Sequence, residues 1–416
     1  EQADTIIKRA HGIATAAPEG PVFVSLPSEP LVEHLPDGFR NAPAPARTNP
    51  ALPDHNSIEQ LATWIAQARL PVVLCQRGDP AGELGPVLSQ VAQQFGLGIV
   101  EPFSLRNVLG SNDPAHLGYD PKAGLEGADL VIVLDSGVPW IEGVSPPPQD
   151  ARIVHIGPDP QFARMPVRGY RCDLSITSDP RHALAALISS GRSAPSVDDR
   201  RKGISDRAVT RRADAKRVAS VKSGPGAPMS PAWLSRCVSD VMDDGAVAFN
   251  ELGLIPDFMA LIRPNQLFSN PHSGGLGWAL PAALGAQLAD RDRLVIACIG
   301  DGSYMFANPV ACHQIAEALD LPVLTIIKNN GMWNAVRRSV LRGYPDGEAV
   351  RMNQMPLTSL SPLPDFCAVA KASRAYAERV DTAADLPDAL ARALEVVRTE
   401  RRQALLDVSV AATDTY

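Results

Sequence analysis

Short apolar runs bounded by Gly, Pro and Asp punctuate most of this chain. They alternate with longer stretches whose apolar positions recur every three or four residues. The first texture is that of strands buried on both faces, and the second is that of helices with one apolar side. Between Ser57 and Ser190 the pattern predicts strands at Pro71–Cys75, Gly98–Val100, Asp129–Leu134, Arg152–Ile156 and Leu174–Ile176, with helices at Ser57–Ala68, Leu84–Phe95 and Pro180–Ile188. The alternation resumes from Pro231 to Val410, with strands at Ala246–Phe249, Leu294–Ile299 and Pro322–Ile327. Asn308 and Pro309 read as the cap and first position of a helix between the last two. Strands separated by helices pair in parallel through crossovers, so the expected fold is α/β, with two doubly wound parallel-sheet domains.

The flanks and joints read differently. Residues 1–34 offer a helix, Ala3–Ala17, a turn at Glu19-Gly20-Pro21 and a strand, Val22–Leu26. That is too little to bury a core, and it cannot form a domain by itself. A Pro-rich connector, Pro36–Pro53, leads to a middle domain at 57–190. Residues 191–229 carry Arg200-Arg201-Lys202 and Arg211-Arg212 interleaved with Asp198, Asp199, Asp206 and Asp214, without aromatics. A solvated linker is expected there rather than a nucleic-acid surface. The last domain is expected at 230–416.

Composition narrows the class. A chain of 416 residues suggests two or three domains, and 45% hydrophobic against 20% charged residues supports sizeable cores. A net charge of −7 gives no general attraction to nucleic acid or anionic membrane. No apolar run is long enough to span a bilayer and no signal peptide opens the chain. The six cysteines have neither metal-ligand nor redox spacing, and Cys75 and Cys298 fall inside apolar strands. Reduced thiols in a cytoplasmic protein are expected.

The candidate chemistry lies where two of the predicted strands end. Leu294–Ile299 stops at Gly300-Asp301-Gly302-Ser303, and residues 303–328 separate that turn from Asn329-Asn330-Gly331. The strand–helix–strand unit places Asp301 and Asn330 at the carboxyl ends of parallel strands, where open α/β sheets bind ligands. Both are hard oxygen ligands of the kind magnesium prefers. Gly300 and Gly302 would let a phosphate approach the backbone. Gly302 and Ser303 would offer N–H groups, and Ser303 a hydroxyl. The expected task is a magnesium ion clamping a diphosphate.

Gly300-Asp301-Gly302 followed at this spacing by Asn329-Asn330 resembles the signature of thiamine-diphosphate-dependent enzymes. The segment from Ser273 through Gly274-Gly275-Leu276-Gly277 to Gly285 is similar to the one that approaches the cofactor's pyrimidine in the acetolactate synthase and benzoylformate decarboxylase branch. The resemblance extends over essentially the whole chain and is most specific from Asn250 to Ser339. It implies thiamine diphosphate and Mg2+ as cofactors, with Asp301, Asn330 and the carbonyl of Met332 as metal ligands. It also implies a second wall of the diphosphate cradle in the backbone of Gly253 and Leu254. Glu251 beside them remains open between that wall and an ordinary loop carboxylate.

The resemblance further implies that Leu276 holds the cofactor bent, bringing the pyrimidine amine against the thiazolium carbon. Core packing is the other reading of Leu276. The carbonyl of Gly274 would accept a hydrogen bond from that amine. His272 either reaches the reacting carbon or is a surface histidine. Asn334, Ala335, Val336 and Ser339 would line the substrate pocket, with Ser339 where relatives carry an aromatic, which argues against an aryl substrate. Trp140 and Glu142 would face the site from the middle domain. Arg337 and Arg338 would attract a carboxylate or, as is commoner, stand as exposed helix charges, and Val340–Ser361 reads as a mobile lid. No Gly-x-Gly-x-x-Gly follows any strand, and only His116–Pro121 stands where relatives with FAD carry a longer insertion. FAD is therefore not expected. The implied activity is decarboxylation or carboligation of a 2-oxo acid by a homodimer or homotetramer. The carboxylate that activates the pyrimidine in relatives belongs to a domain of which residues 1–34 resemble only the end. A longer chain or another polypeptide is expected to supply it, and a non-catalytic thiamine-diphosphate-binding subunit is the second reading.

Overall fold

The computed structural model describes residues 3–413 apart from 42, 44, 45, 47, 193–195, 224–227, 353 and 354. Parts of the Pro-rich connector, the 191–229 segment, the expected lid and the extreme C-terminus thus lie outside the described residues.

Two all-parallel sheets organise the chain. The first comprises β1 (Pro71–Cys75), β2 (Gly98–Val100), β3 (Leu130–Leu134), β4 (Arg152–Gly157) and β5 (Leu174–Thr177), in the order β2-β1-β3-β4-β5. The second comprises β6 (Val247–Glu251), β7 (Leu267–Ser269), β8 (Val295–Gly300), β9 (Leu324–Asn329), β10 (Tyr376–Val380) and β11 (Ala404–Ser409), in the order β10-β11-β9-β8-β6-β7. Every residue of β1 and β3 is buried, because helices cover both faces. The period of two then sorts the side chains. Val73, Cys75, Ile132 and Leu134 enter one core, while Val72, Leu74, Val131 and Val133 enter the other. In the second sheet Ile296, Cys298, Leu324 and Ile326 face one core, and Val295, Ala297, Ile299 and Ile327 the opposite one.

Helix ends follow their caps. Asp54 accepts the Ser57 N–H at 2.9 Å, so the helix predicted from Ser57 begins at His55 and runs to Gln67. Gly96, at φ 65°, stops the helix Leu84–Phe95 in the left-handed conformation that glycine adopts without strain. Asp179 caps Pro180–Ser189 through the Arg181 N–H.

Two expectations fail for physical reasons. Residues 22–26 form no strand, and Phe23 is 93% exposed. A lone extended segment without a sheet to join leaves its backbone groups to water. The preceding helix is shorter than expected, Ala3–Ala14, and buries no side chain. The solvated linker is instead largely a helix, Val197–Ala219. Val197, Arg200, Ile204 and Ala208 form its buried stripe at helical spacing. Arg200 donates to the carbonyls of Ile65 and Ala68, both at 2.7 Å, and of Phe95 at 2.6 Å. A cation is thus buried against the carboxyl ends of two helices of the first layer, where dipole and unsatisfied carbonyls favour it. An Arg200→Met protein is expected to unfold in urea with roughly 2–4 kcal/mol less stability, because three buried acceptors lose a charged donor. A loss below about 0.5 kcal/mol, the level of an exposed helix position, would remove that role.

The sheets meet through Asn107. Its Oδ1 accepts the N–H groups of Gln266 and Leu267, and its Nδ2 donates to the carbonyls of Leu109 and Arg263. All four capacities of the amide are used, three of them across the joint. No helix of the described residues is long and apolar enough to cross a membrane.

Candidate functional site

The site grows from the register of two strands. β8 and β9 pair with Gly300 opposite Lys328, so the turns that follow them are neighbours. Asp301 is 3% exposed, and its carboxylate ties those turns together. Oδ1 accepts the Gly302 N–H at 2.8 Å, and Oδ2 accepts the N–H groups of Asn330 at 3.1 Å and Gly331 at 2.7 Å. Burial pushes the Asp301 carboxyl above its ordinary range, while these donors pull the other way. The adjacent asparagines diverge. Asn330 accepts the Met332 N–H through Oδ1, whereas the Asn329 amide turns to Asp407 on β11 at 2.8 Å. Asn329 Oδ1 also accepts the Gly331 N–H at 3.1 Å, but of the two asparagines only Asn330 lines the cavity with Asp301.

Asp301, Asn330 and Met332 line one cavity of about 90 Å³. Leu276 faces them from the opposite loop, and Asn334, Ala335 and Val336 enter from the helix Asn334–Gly343. Gly300 and Ser303 form the floor. A Cβ at Gly300 would have no neighbour closer than 3.9 Å, so its backbone is open to a ligand. The loop carrying Leu276 is held by Glu251, which is fully buried. Glu251 accepts the Gly277 N–H at 2.6 Å and the Ala279 N–H at 2.7 Å. It is neither a loop carboxylate nor a cradle wall but a clamp. Gly274 and Gly277 have φ of 70° and 87°. At Gly277 a Cβ would also come within 2.6 Å of the Ala307 nitrogen. This geometry presents Leu276, 39% exposed, rather than burying it, so the core-packing reading falls.

Several expected site residues lie elsewhere. The N–H groups of Gly253 and Leu254 both donate to Asn250 Oδ1, at 3.0 and 2.7 Å, and Leu254 sits in the core. A Cβ at Gly253 would lie 2.5 Å from Cys298 Sγ, so close packing rather than a phosphate demands that glycine. Gly302 does line the cavity, and a Cβ on it would lie 2.2 Å from the Trp333 ring, so the indole packs that side of it. His272 is exposed, with Nε2 2.8 Å from the Phe103 carbonyl, and does not line the cavity. Ser339 is exposed and donates to the Ala335 carbonyl one turn back. Trp140 is fully buried in the first sheet's core, edge-on to Tyr170, with Nε1 on Glu142 Oε1 at 2.7 Å. It packs that core rather than meeting a substrate. The expected lid is anchored at its far end, where Trp333 N–H donates to the Thr358 carbonyl and Leu360 N–H to the Gly331 carbonyl.

Four further residues line the cavity, Trp333 among them. Arg338, expected as an exposed charge, is 8% exposed and lines the cavity. Leu252 and Lys328 line it too, and Lys328 Nζ donates to the Leu252 carbonyl at 3.1 Å. A lysine at the end of an otherwise apolar strand was the available signal.

Residues 254–408 match the family described as thiamine pyrophosphate enzyme, C-terminal TPP binding domain. The benzoylformate decarboxylase of Pseudomonas aeruginosa is 25% identical over 94% of this chain and 71% of its own length. The acetolactate synthase of Mycobacterium leprae is 23% identical over 98% of this chain and 65% of its own, and that of Mycobacterium avium is matched over only 55% of its length. The chain thus spans between about half and three quarters of these relatives. The thiamine diphosphate-dependent 4-hydroxybenzoylformate decarboxylase of Rhodococcus jostii superposes with a TM-score of 0.75 at 25% identity, over 100% of this chain and 75% of that one. The benzoylformate decarboxylase of Polynucleobacter necessarius shares the fold, with a TM-score of 0.76 at 20% identity, over 99% of this chain and 74% of that one. Over 254–408, therefore, this chain is similar to the C-terminal TPP binding domain of thiamine pyrophosphate enzymes.

Proposed function

We propose that this chain is part of a thiamine-diphosphate- and Mg2+-dependent decarboxylase or carboligase acting on 2-oxo acids. The carrying observation is that Asp301 and Asn330, on adjacent strand ends, share one cavity with Leu276. Their chemistry fits the groups. A carboxylate, an amide oxygen and the Met332 carbonyl form a hard-oxygen set, and the open backbone at Gly300 admits a phosphate. Asp301, Asn330 and Met332 would hold the metal against a diphosphate, with Ser303 beside it. Thiamine diphosphate, when bound, supplies the electron sink for loss of carbon dioxide from a 2-oxo acid. The chain's own contributions are positional. Glu251 fixes the loop, Leu276 offers an apolar support beneath a ligand, and the Gly274 carbonyl offers an acceptor. Ala335 and Val336 line one side with apolar groups.

A second reading has its own observation. The cavity of about 90 Å³ is well below the ~300–1,000 Å³ of complete small-molecule sites, and Leu276 stands partly exposed on it. A further protein surface therefore completes the site. A second copy in a homodimer or homotetramer, or a partner chain carrying the activating carboxylate, meets that need. Carbon dioxide release across a panel of 2-oxo acids, with thiamine diphosphate and Mg2+, tests the activity. Turnover of none, even by an assembly that binds the cofactor, would leave the chain a binding subunit.

The protein is also expected to be colourless between the near-ultraviolet and the blue after purification. A stoichiometric flavin spectrum would overturn the expectation that the protein carries no FAD.

A further inference from the structure

We propose that Lys328 is a direct, charge-bearing anchor for the phosphate end of the ligand, binding it independently of the metal. The inference rests on the functional reading above and adds a residue to it. Lys328 leaves β9 opposite Gly300, and its ammonium reaches across the end of β8 to the Leu252 carbonyl at 3.1 Å. It therefore borders the backbone left open at Gly300, with the Ser303 hydroxyl on the same floor. The bond to Leu252 uses one of three ammonium donors.

Charge makes the case stronger. Among the described residues, two cationic side chains, Lys328 and Arg338, line this cavity with one carboxylate, Asp301. That carboxylate is already held by three backbone N–H groups. A half-buried ammonium beside a second cation, with a neutral carbonyl as hydrogen-bond partner, is a costly arrangement for a strand end. An anion in the cavity turns the cost into attraction. A lysine ammonium binds phosphate as a compact point charge, without the planar geometry that arginine imposes. A diphosphate carries enough charge to engage both this ammonium and a divalent cation held at Asp301. A purely structural Lys328 would serve only to tie the 252 loop to β9.

Titration calorimetry of the 416-residue chain separates these roles, using inorganic pyrophosphate and thiamine diphosphate, each in Mg2+ and in EDTA. The variants are Lys328→Met, Lys328→Gln and Lys328→Arg, with folding checked by circular dichroism. Glutamine keeps a donor for the Leu252 carbonyl and loses the charge. The expected result is measurable pyrophosphate binding by wild type in EDTA. That binding should weaken by about tenfold or more in both K328M and K328Q and be largely restored in K328R. In Mg2+ the same order should hold for thiamine diphosphate. Wild-type affinity in K328Q, or no binding of pyrophosphate by wild type without metal, would overturn the anchor while leaving the functional reading intact. Failure of wild type to bind thiamine diphosphate even in Mg2+ would overturn the functional reading, and the anchor with it.

Discussion

Asp301→Ala protein is expected to lose thiamine diphosphate binding in Mg2+ by more than about 100-fold, beyond the 10–100-fold typical of groups that only orient a metal's ligands. Asp301 is the single carboxylate among the described residues lining the cavity, so its removal takes away their strongest anionic donor for a divalent cation. The same carboxylate holds the N–H groups of Asn330 and Gly331, so the alanine variant also frees the loop that carries the other two proposed ligands. Asp301→Asn distinguishes the contributions. It keeps the shape and one acceptor oxygen but not the charge, and it should stay folded while still binding poorly in Mg2+. Chelation of Mg2+ should weaken binding by wild type far more than binding by either variant. Calorimetry with thiamine diphosphate, with circular dichroism as the folding control, reads all of this. Unchanged affinity in Asp301→Ala would end the assignment of the cavity as a metal–diphosphate site.

The strands could be read closely because burial on both faces writes itself as uninterrupted apolar runs, as in Val-Ile-Ala-Cys-Ile at 295–299. The pairing of Asp301 with Asn330 could be read for the same reason. Parallel strands in register bring their carboxyl ends together whatever the loops do. The helix at Val197–Ala219 could not, because its buried stripe contains an arginine, and composition marks Arg-rich segments as solvated. The burial of Arg200 depends on carbonyls of Ile65, Ala68 and Phe95, more than a hundred residues away in sequence. Gly253 and Gly302 show a different limit. A glycine near a phosphate motif can be required by a ligand or by a neighbouring side chain. Here Cys298 and Trp333 take the space, which no local pattern announces. Trp140 was misplaced because a strand end places a backbone but does not say whether an aromatic there turns outward or packs against Tyr170.

Glu251→Ala is expected to be the most destabilising single change at the site. Glu251 ends β6, next to β8 in the sheet, and is fully buried. Both carboxylate oxygens are engaged, by Gly277 N–H at 2.6 Å and Ala279 N–H at 2.7 Å. Alanine leaves two buried donors without acceptors, at about 1–3 kcal/mol each, and opens a cavity the size of a carboxylate. A total of roughly 3–5 kcal/mol follows. Glutamine fills the volume and restores one acceptor, but it turns an NH2 group toward the other N–H, so a loss of about 1–3 kcal/mol is expected for Glu251→Gln. The damage should be local as well as global. Gly277 holds positive φ directly against the Phe306–Ala307 backbone, and the clamp keeps it there. Released, the 273–278 loop should become a preferred site of proteolysis, and Trp278, which packs on Phe249 at 5.7 Å, should report the change in its fluorescence. Leu276 would then no longer be presented to the cavity, and thiamine diphosphate affinity should fall in a folded Glu251→Gln protein whose metal ligands are untouched. Urea unfolding, limited proteolysis and calorimetry on the two variants test the chain of cause. Glu251→Ala with wild-type stability and an intact 273–278 loop would show that the loop holds its shape without the clamp.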